Sequence, residues 1–421
     1  MLFQKNLPII FTAPIEFCRF LLYLIYIMTK KIITLNEVKR NNLRSVLDLL
    51  LRSDGLSRIE IAGKLGCDNT TVSRAVKELI DRKIIYPGSK NGSNNGRPRV
   101  ALQVNPDGPL LLGIALEPDG ISGVLTDLKS KPLRVEKIRF RNCSDQQEYL
   151  ATAVEIIEKL QFAAKEKLAG IGVTVFGSYH GVDAVLEKAA ALHILNGVKL
   201  QPFFNGCTNK EVIICDHSVA LATFLTRREA ELTTGDVMLI NVGKGLGVVL
   251  LRNGKKLFNR NNHGGEFGHI IRIPDGEKCA CGRRGCLETL VSTPAMIKKY
   301  RELTGKNISL EKLASEFCSN LPDAEKVIAP AIDILSTAIA EQLNNYPVDT
   351  LAISGDILKF GTTFCKRLQK NITDLLFSLS KENLKFHFPE IDSADALAIG
   401  ASMLAAENYV AAFDRIIDPA E

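Results

Sequence analysis

The densest chemistry in the sequence lies in GGEFGHIIRIPDGEKCACGRRGCLE, residues 264–288. This stretch holds one imidazole, His269, and three thiols, Cys279, Cys281 and Cys286. Nine residues separate His269 from Cys279, one separates Cys279 from Cys281, and four separate Cys281 from Cys286. Four such donors on a short loop suit tetrahedral Zn²⁺. With every position filled by protein, the site is closed and its role is structural rather than hydrolytic. The alternative is a group of free buried thiols beside a core histidine. The ten cysteines are otherwise scattered, which argues against a disulfide framework and for a reducing, cytoplasmic setting. Glu266 and Glu288 flank the loop, and Asp216 ends the apolar run VIIC. Carboxylates in these places can accept hydrogen bonds from sugar hydroxyls. For each of them a surface salt bridge is the alternative.

A second set of groups suits nucleic acid. Residues 30–100 carry fifteen Lys and Arg against seven Asp and Glu, a net +8, while residues 101–421 are net −3. A basic block joined to a mildly acidic body suggests a polyanion-binding module; a solvated basic face is the alternative. Within the block, residues 69–81 predict a two-faced helix. Val72, Val76, Leu79 and Ile80 form its buried stripe, and Asn69, Thr70, Thr71, Ser73, Arg74 and Lys77 lie on or near the other face. Short hydrogen-bonding groups and cations in that arrangement belong to a recognition helix entering a major groove ~12 Å wide.

The elements that must position this helix are legible around it. Leu43, Val46, Leu47, Leu50 and Leu51 predict a helix over 41–52. Ser57 and Glu60 form a capping box for the next helix, to about Leu65. Gly66-Cys67-Asp68 makes the turn, with Asp68 as the following N-cap. A hairpin follows, with strands at 84–86 and 100–104 and the polar tip SKNGSNNGRPR between them. Its Lys90, Arg97 and Arg99 have the reach to hold phosphates. Helix-turn-helix plus wing is the reading of 35–104; a helical bundle with a surface hairpin is the alternative.

Ahead of it, residues 1–34 form an apolar segment. Glu16 and Arg19 interrupt it, and the nine residues 20–28 are too short for ~30 Å of hydrocarbon. Met28 opens a stretch that reads as an ordinary N-terminus, so a misassigned start is expected and no membrane partner. A membrane-anchoring helix and a cleaved signal are the alternatives.

Residues 111–125, LLGIALEPDGISGVL, and 237–251, VMLINVGKGLGVVLL, share a pattern of buried strand, glycine-bearing turn and second apolar run. The pattern predicts two related α/β lobes, 105–218 with 395–421 and then 219–394, enclosing a cleft for a small ligand. Further strands are expected at 170–175, 212–215 and 351–354, and helices near 149–167, 218–227 and 329–345.

The stretches GGEFGH and CACGRRGCLE, with the helix-turn-helix SRIEIAGKLGCDNTTVSRAVKELIDRKII, resemble the ROK family of repressors, open-reading-frame proteins and kinases. The likeness runs from about residue 38 to 415 and is narrower toward its transcriptional regulators of xylose and N-acetylglucosamine type. It implies an actin-like, two-lobed sugar-kinase fold behind a winged helix-turn-helix. It also implies Zn²⁺ on His269, Cys279, Cys281 and Cys286, a sugar held by Asp216, Glu266, His269 and Glu288, and operator DNA as partner. One recognition helix reads few base pairs, and two half-sites a turn apart raise specificity, so a homodimer or homotetramer is expected. One His269 nitrogen can hold the metal while the other faces the sugar.

Several positions depart from the family's kinases. Their Asp-x-Gly-Gly-Thr turn reads Ala115, then Glu117, Pro118 and Asp119. Pro118 offers no amide hydrogen. Two like charges 4 Å apart repel by ~4 kcal/mol at an effective dielectric of 20, so Glu117 and Asp119 disfavour a polyphosphate. Cys215 replaces the Asn before Asp216, Phe176 replaces a Pro, Ser354 replaces a Gly, and an Asn expected near the sugar aligns with His193. The expectation is a DNA-binding transcriptional regulator, a repressor, controlled by a sugar or sugar derivative and without kinase activity. The alternative is an active ATP-dependent sugar kinase with a fused DNA-binding domain.

Overall fold

The computed structural model describes residues 35–91, 99–140, 143–189, 192–257, 264–391 and 395–412. The apolar segment 1–34 and Arg97 lie outside the described residues.

Three helices open the chain: α1 (Leu35–Leu51), α2 (Arg58–Leu65) and α3 (Asn69–Asp81). Ser57 and Glu60 form the reciprocal cap of α2, the Ser57 amide donating to the Glu60 carboxylate at 2.8 Å. Gly66 takes the left-handed conformation (φ +63°) that closes α2. Two residues later Asp68 caps α3, accepting from the Thr71 amide at 2.8 Å. A hairpin of β1 (Ile85–Asn91) and β2 (Arg99–Val104) follows, pairing Ile85 with Val104. The hairpin strands run further into the polar tip than expected, taking in Lys90 and Arg99, and the register shifts between Pro87 and Lys90. α1 starts ahead of the expected residue 41. In α3, Ala75 is buried while Ile80 is half-buried, because the stripe continues through residue 75 at i+3 from Val72.

Two five-stranded sheets follow. The first joins β3 (Leu110–Glu117), β4 (Gly120–Asp127), β5 (Pro132–Arg139), β6 (Leu168–Val175) and β9 (Val212–Asp216) in the order β5-β4-β3-β6-β9. Helix α4 (Gln146–Ala164) packs on it, and a small hairpin of β7 (Ser178–His180) and β8 (Val185–Lys188) and helix α5 (Leu200–Gly206) precede β9. Helix α6 (His217–Thr226) leads to the second sheet of β10 (Asp236–Val242), β11 (Leu246–Arg252), β12 (Lys255–Lys256), β13 (Thr350–Ser354) and β14 (Lys385–His387). Its order is β12-β11-β10-β13-β14. Both sheets thus place an antiparallel three-strand meander beside two parallel strands, which bears out the paired sequence pattern.

The second lobe is completed by α7 (Glu288–Val291), α8 (Thr293–Thr304), α9 (Leu310–Cys318), α10 (Pro322–Asn345), α11 (Gly361–Leu375) and α12 (Ser378–Lys381). α10 starts seven residues, nearly two turns, ahead of its expected start at 329. Pro322 opens it, Asp323 and Glu325 suit the dipole of its first turn, and Pro330 is carried inside. Its apolar face, including Ile332, Leu335 and Ile339, is buried in the lobe core, and that packing outweighs the proline's cost.

The last helix, α13 (Ala396–Ala411), and α6 lie between the sheets. Both are buried on nearly all sides. α13 rests on β3 and β6, where Gly113 and Gly172 leave room for its backbone. Gly400 in turn meets the Ala220 carbonyl of α6, so the two helices cross with no side chain between them. The far end of α13 enters the first helical unit: Ala405, Ala406 and Val410 share one apolar core with Leu43, Leu47, Val76 and Leu79. Lys129 adds a bond to the Ser53 carbonyl at 2.8 Å. Among the described residues, no helix is long and apolar enough to cross a membrane.

Candidate ligand cleft, metal loop and nucleic-acid interface

A cavity of about 1320 Å³ lies between the lobes, and Asp216, Glu266, His269 and Glu288 all line it. Each is placed by local chemistry. Asp216 ends β9 and caps α6, accepting from the Val219 amide at 2.8 Å, while its other oxygen accepts from the Gly264 amide. Gly264 is required here, since a Cβ would sit 2.8 Å from the Val248 carbonyl oxygen. The Gly265 amide donates to that same oxygen at 2.7 Å and pins the segment to β11. Glu266 follows; its carboxylate accepts from the Ser178 hydroxyl at 2.7 Å, across from the first lobe. Glu288 opens α7 and accepts from the Leu246 amide at 3.3 Å. Burial pushes its carboxyl above the usual range.

The metal-loop residues converge. The His269 Nδ1 lies 3.6 Å from the Cys279 Sγ, and the Cys281 and Cys286 Sγ atoms are 3.6 Å apart. All four donor atoms lie within 4.8 Å of one another. A tetrahedron with Zn–S of ~2.3 Å has edges of roughly 3.6–3.8 Å, so the donor set fits the ion. The sulfur spacing is far beyond the ~2.05 Å of a disulfide. Burial pushes the Cys279 thiol up to about 12, and a cation would reverse that by replacing the proton. The other ring nitrogen, Nε2, faces the Glu266 carboxylate at 3.8 Å. His269 therefore touches both the thiol cluster and the cleft. The loop closes through paired backbone at Ile271 and Cys286 and at Lys278 and Arg284, so it ties Glu266 to Glu288.

Some cleft groups were not legible in sequence. Ser178 had no motif to mark it. His217, the first residue of α6, stacks edge-on to Phe176 with ring centroids 5.7 Å apart. Burial drives its imidazole down to about 3, keeping it neutral. Asp119 and Lys244, on turns of opposite lobes, pair at 2.7 Å. Burial pushes the Glu117 carboxyl up, partly offset by Lys244. For Asp119 the same burial is outweighed by the hydrogen bond and charge of Lys244, and its carboxyl is lowered.

On α3, Asn69, Thr70, Ser73, Arg74 and Lys77 are exposed. Thr71 is half-buried, and its hydroxyl donates to Asp68 at 2.6 Å. Lys90 and Arg99 pair with Val100 and Asn91 across the hairpin backbone.

The ROK family model matches residues 111–408. The chain belongs to the ROK family. It is 24% identical over 373 residues to a xylose repressor of Caldicellulosiruptor bescii, covering 84% of this chain and 92% of that one. It is 23% identical over 379 residues to the DNA-binding transcriptional dual regulator NagC of Escherichia coli strain K12, covering 86% and 91%. Among solved structures, a ROK family transcriptional regulator, a homolog of the E. coli MLC protein, matches 90% of this chain and all of its own length, with a TM-score of 0.76 at 22% identity. A ROK hexokinase from Thermus thermophilus matches 70% of this chain and 97% of its own, with a TM-score of 0.59 at 19% identity. At these identities the structures establish the fold.

The positions that depart from ROK kinases have distinct fates. Cys215 lies in the apolar core shared with α6 and α13, its Sγ 3.6 Å from the Val173 carbonyl, because strand alternation sends its neighbour Asp216 and not Cys215 to the cleft. His193 is exposed on a short 3₁₀ turn and does not line the cleft. Phe176 does line it, and a Cβ on Gly245 would meet its ring at 2.7 Å.

Proposed function

We propose that this ROK chain is a DNA-binding transcriptional regulator, a repressor, whose operator affinity is set by a sugar or sugar derivative held between the lobes. The observation that carries the reading is the union of two sites on one frame. An exposed polar helix face on α3 shares a core, through α13, with a cleft that gathers Asp216, Glu266, His269 and Glu288.

In this reading residues 35–104 are the winged helix-turn-helix head. Asn69, Thr70, Thr71, Ser73, Arg74 and Lys77 read the groove, and Lys90, Arg97 and Arg99 grip phosphates. The lobes are 105–218 with 395–421, and 219–394. His269, Cys279, Cys281 and Cys286 hold Zn²⁺, which supplies a fixed charge that clamps the loop carrying Glu266 and Glu288. No phosphoryl transfer is assigned. Glu117 and Asp119 set negative charge on the turn that faces Lys244, and Lys244 is already paired with Asp119. The chain works in the cytoplasm as a homodimer or homotetramer, since two heads one turn apart read enough DNA for specificity.

The test is fluorescence anisotropy of the protein against DNA from upstream of its own gene, titrated with salt and then with sugars. Binding that falls steeply with salt and is changed by one sugar is expected. Binding no tighter than to unrelated DNA at every salt concentration overturns the reading.

A further inference from the structure

We propose that α6 is the lever through which the head reads the cleft, and that Lys256 is the positioning residue at its far end. This inference rests on the sugar-responsive reading above.

At its cleft end α6 is capped by Asp216, which also holds the Gly264 amide. A ligand that engages this carboxylate acts directly on the helix end. At the opposite end Thr223 accepts a hydrogen bond from the Lys256 ammonium at 3.1 Å. The same ammonium reaches the Glu407 carboxylate at 3.2 Å. Lys256 belongs to β12 in the second lobe, while Glu407 belongs to α13, which rests on the first sheet. The Lys256 side chain is 14% exposed and that of Glu407 is 42% exposed, so the ammonium end of the bond is the sheltered one. One residue before Glu407 is Ala406 and two after it is Tyr409, both packed in the core of the head. Arg227, just past α6, is half-buried, and the charges of Glu407 and of Arg52 and Asp48 of α1 act on it.

The fulcrum is the crossing of the two helices. Gly400 meets the Ala220 carbonyl without an intervening side chain, so α6 can tilt there while the backbones stay in touch. At 1.5 Å per residue, Ala220 lies roughly 6 Å from Asp216 and roughly 5 Å from Thr223. With arms of similar length, a shift at the cleft end returns as a comparable, opposite shift at Lys256. The head and the first lobe share one core and move together, so their contact alone carries no message. A bond from the second lobe onto Glu407 does, because it changes when the lobes change angle.

Two variants of the full chain test this: Lys256→Met, which keeps the aliphatic stem, and Glu407→Gln. Three quantities are measured for each: affinity for the upstream DNA fragment, affinity for each of xylose, glucose and N-acetylglucosamine and the 6-phosphates of the last two, and the factor by which the best of these changes DNA affinity. In the unmodified chain that factor is expected within about 5- to 150-fold. In both variants the two separate affinities should stay within about threefold, while the factor collapses toward one. The reversed pair, Lys256→Glu with Glu407→Lys, should recover part of it. Variants that keep the full factor overturn the lever. So does loss of DNA or sugar affinity by itself, which marks a merely structural role. An unmodified chain that binds the DNA but answers to none of these sugars fails the sugar reading, and the lever with it.

Discussion

Replacing Gly400 by Ala tests the helix crossing directly. Gly400 lies within α13, where Ala is favoured over Gly by about 1 kcal/mol. Propensity alone therefore predicts stabilisation. The structure predicts the reverse. The added Cβ would run into the Ala220 backbone carbonyl, which has no rotamer by which to escape. Relief requires α6 and α13 to separate, opening gaps along an interface that buries Ala220, Phe224, Ala398 and Ala401. Overpacking of this kind costs about 1–3 kcal/mol, and a backbone obstacle puts it at the upper end, so the net effect is destabilising by about 1–2 kcal/mol. Gly63→Ala is the matched control, since Gly63 lies inside α2 with nothing within 4 Å of its Cβ position. It should stabilise the head by about 0.5–1 kcal/mol. Urea unfolding followed by far-ultraviolet circular dichroism measures both. A Gly400→Ala protein at least as stable as the parent would refute the close crossing and the fulcrum built on it.

Other outcomes follow from the same geometry. Cys281→Ser should drop bound zinc, measured by atomic emission, from one per chain toward none and lower the thermal midpoint; a parent protein purified in zinc-containing medium without any zinc contradicts the metal reading. Incubation with ATP, Mg²⁺ and sugar should yield no sugar phosphate, and turnover that Asp216→Asn abolishes would establish a kinase instead. His217 is driven to about 3 when folded, below its unfolded value of ~6.5. The stabilisation of its neutral form is complete above ~6.5 and is lost as pH falls toward 3, so unfolding midpoints should fall between pH 7 and pH 5 and His217→Gln should flatten that slope. Arg74→Ala and Lys77→Ala should weaken DNA binding and reduce its salt slope, whereas unchanged slopes would remove α3 from the interface.

What the sequence made legible was local. Ser57, Glu60, Gly66 and Asp68 announce the two helix boundaries of the head because a cap needs only residues three apart. The clustering of His269 with three thiols was visible because all four sit on one loop. The contacts that proved hidden join distant segments. Ser178 lies 88 positions from Glu266, and Lys244 lies 125 from Asp119. No period or spacing marks such pairs; they exist only after the two sheets are stacked. The shorter expectation for α10 has another cause. A proline in a helix interior costs a backbone bond, yet the buried face on either side of Pro330 holds the longer helix together. His193 shows the limit of alignment by family likeness, since it is exposed on a short turn and does not line the cleft.

On the proposed reading, the balance of forces between the lobes sets how much a small ligand can do. The α6–α13 interface is apolar and buried, and it fixes where the lobes meet. The bonds that span them at the periphery are different in kind. Asp119 and Lys244 are 51% and 37% exposed, and a pair of that sort contributes about 0–1 kcal/mol. Ser178 spends its hydroxyl on Glu266, one of the carboxylates assigned to the sugar, so a ligand there can take over that bond at little net cost. In the proposed lever the packed interface is the pivot, and the exposed peripheral bonds oppose a tilt only weakly. A few hydrogen bonds gained by a sugar in one tilt and not the other amount to about 1–3 kcal/mol, the usual scale of coupling between two sites. The same bonds would shift nothing if the lobes were held apart by many buried ion pairs, and would report nothing if the head were not fused to α13.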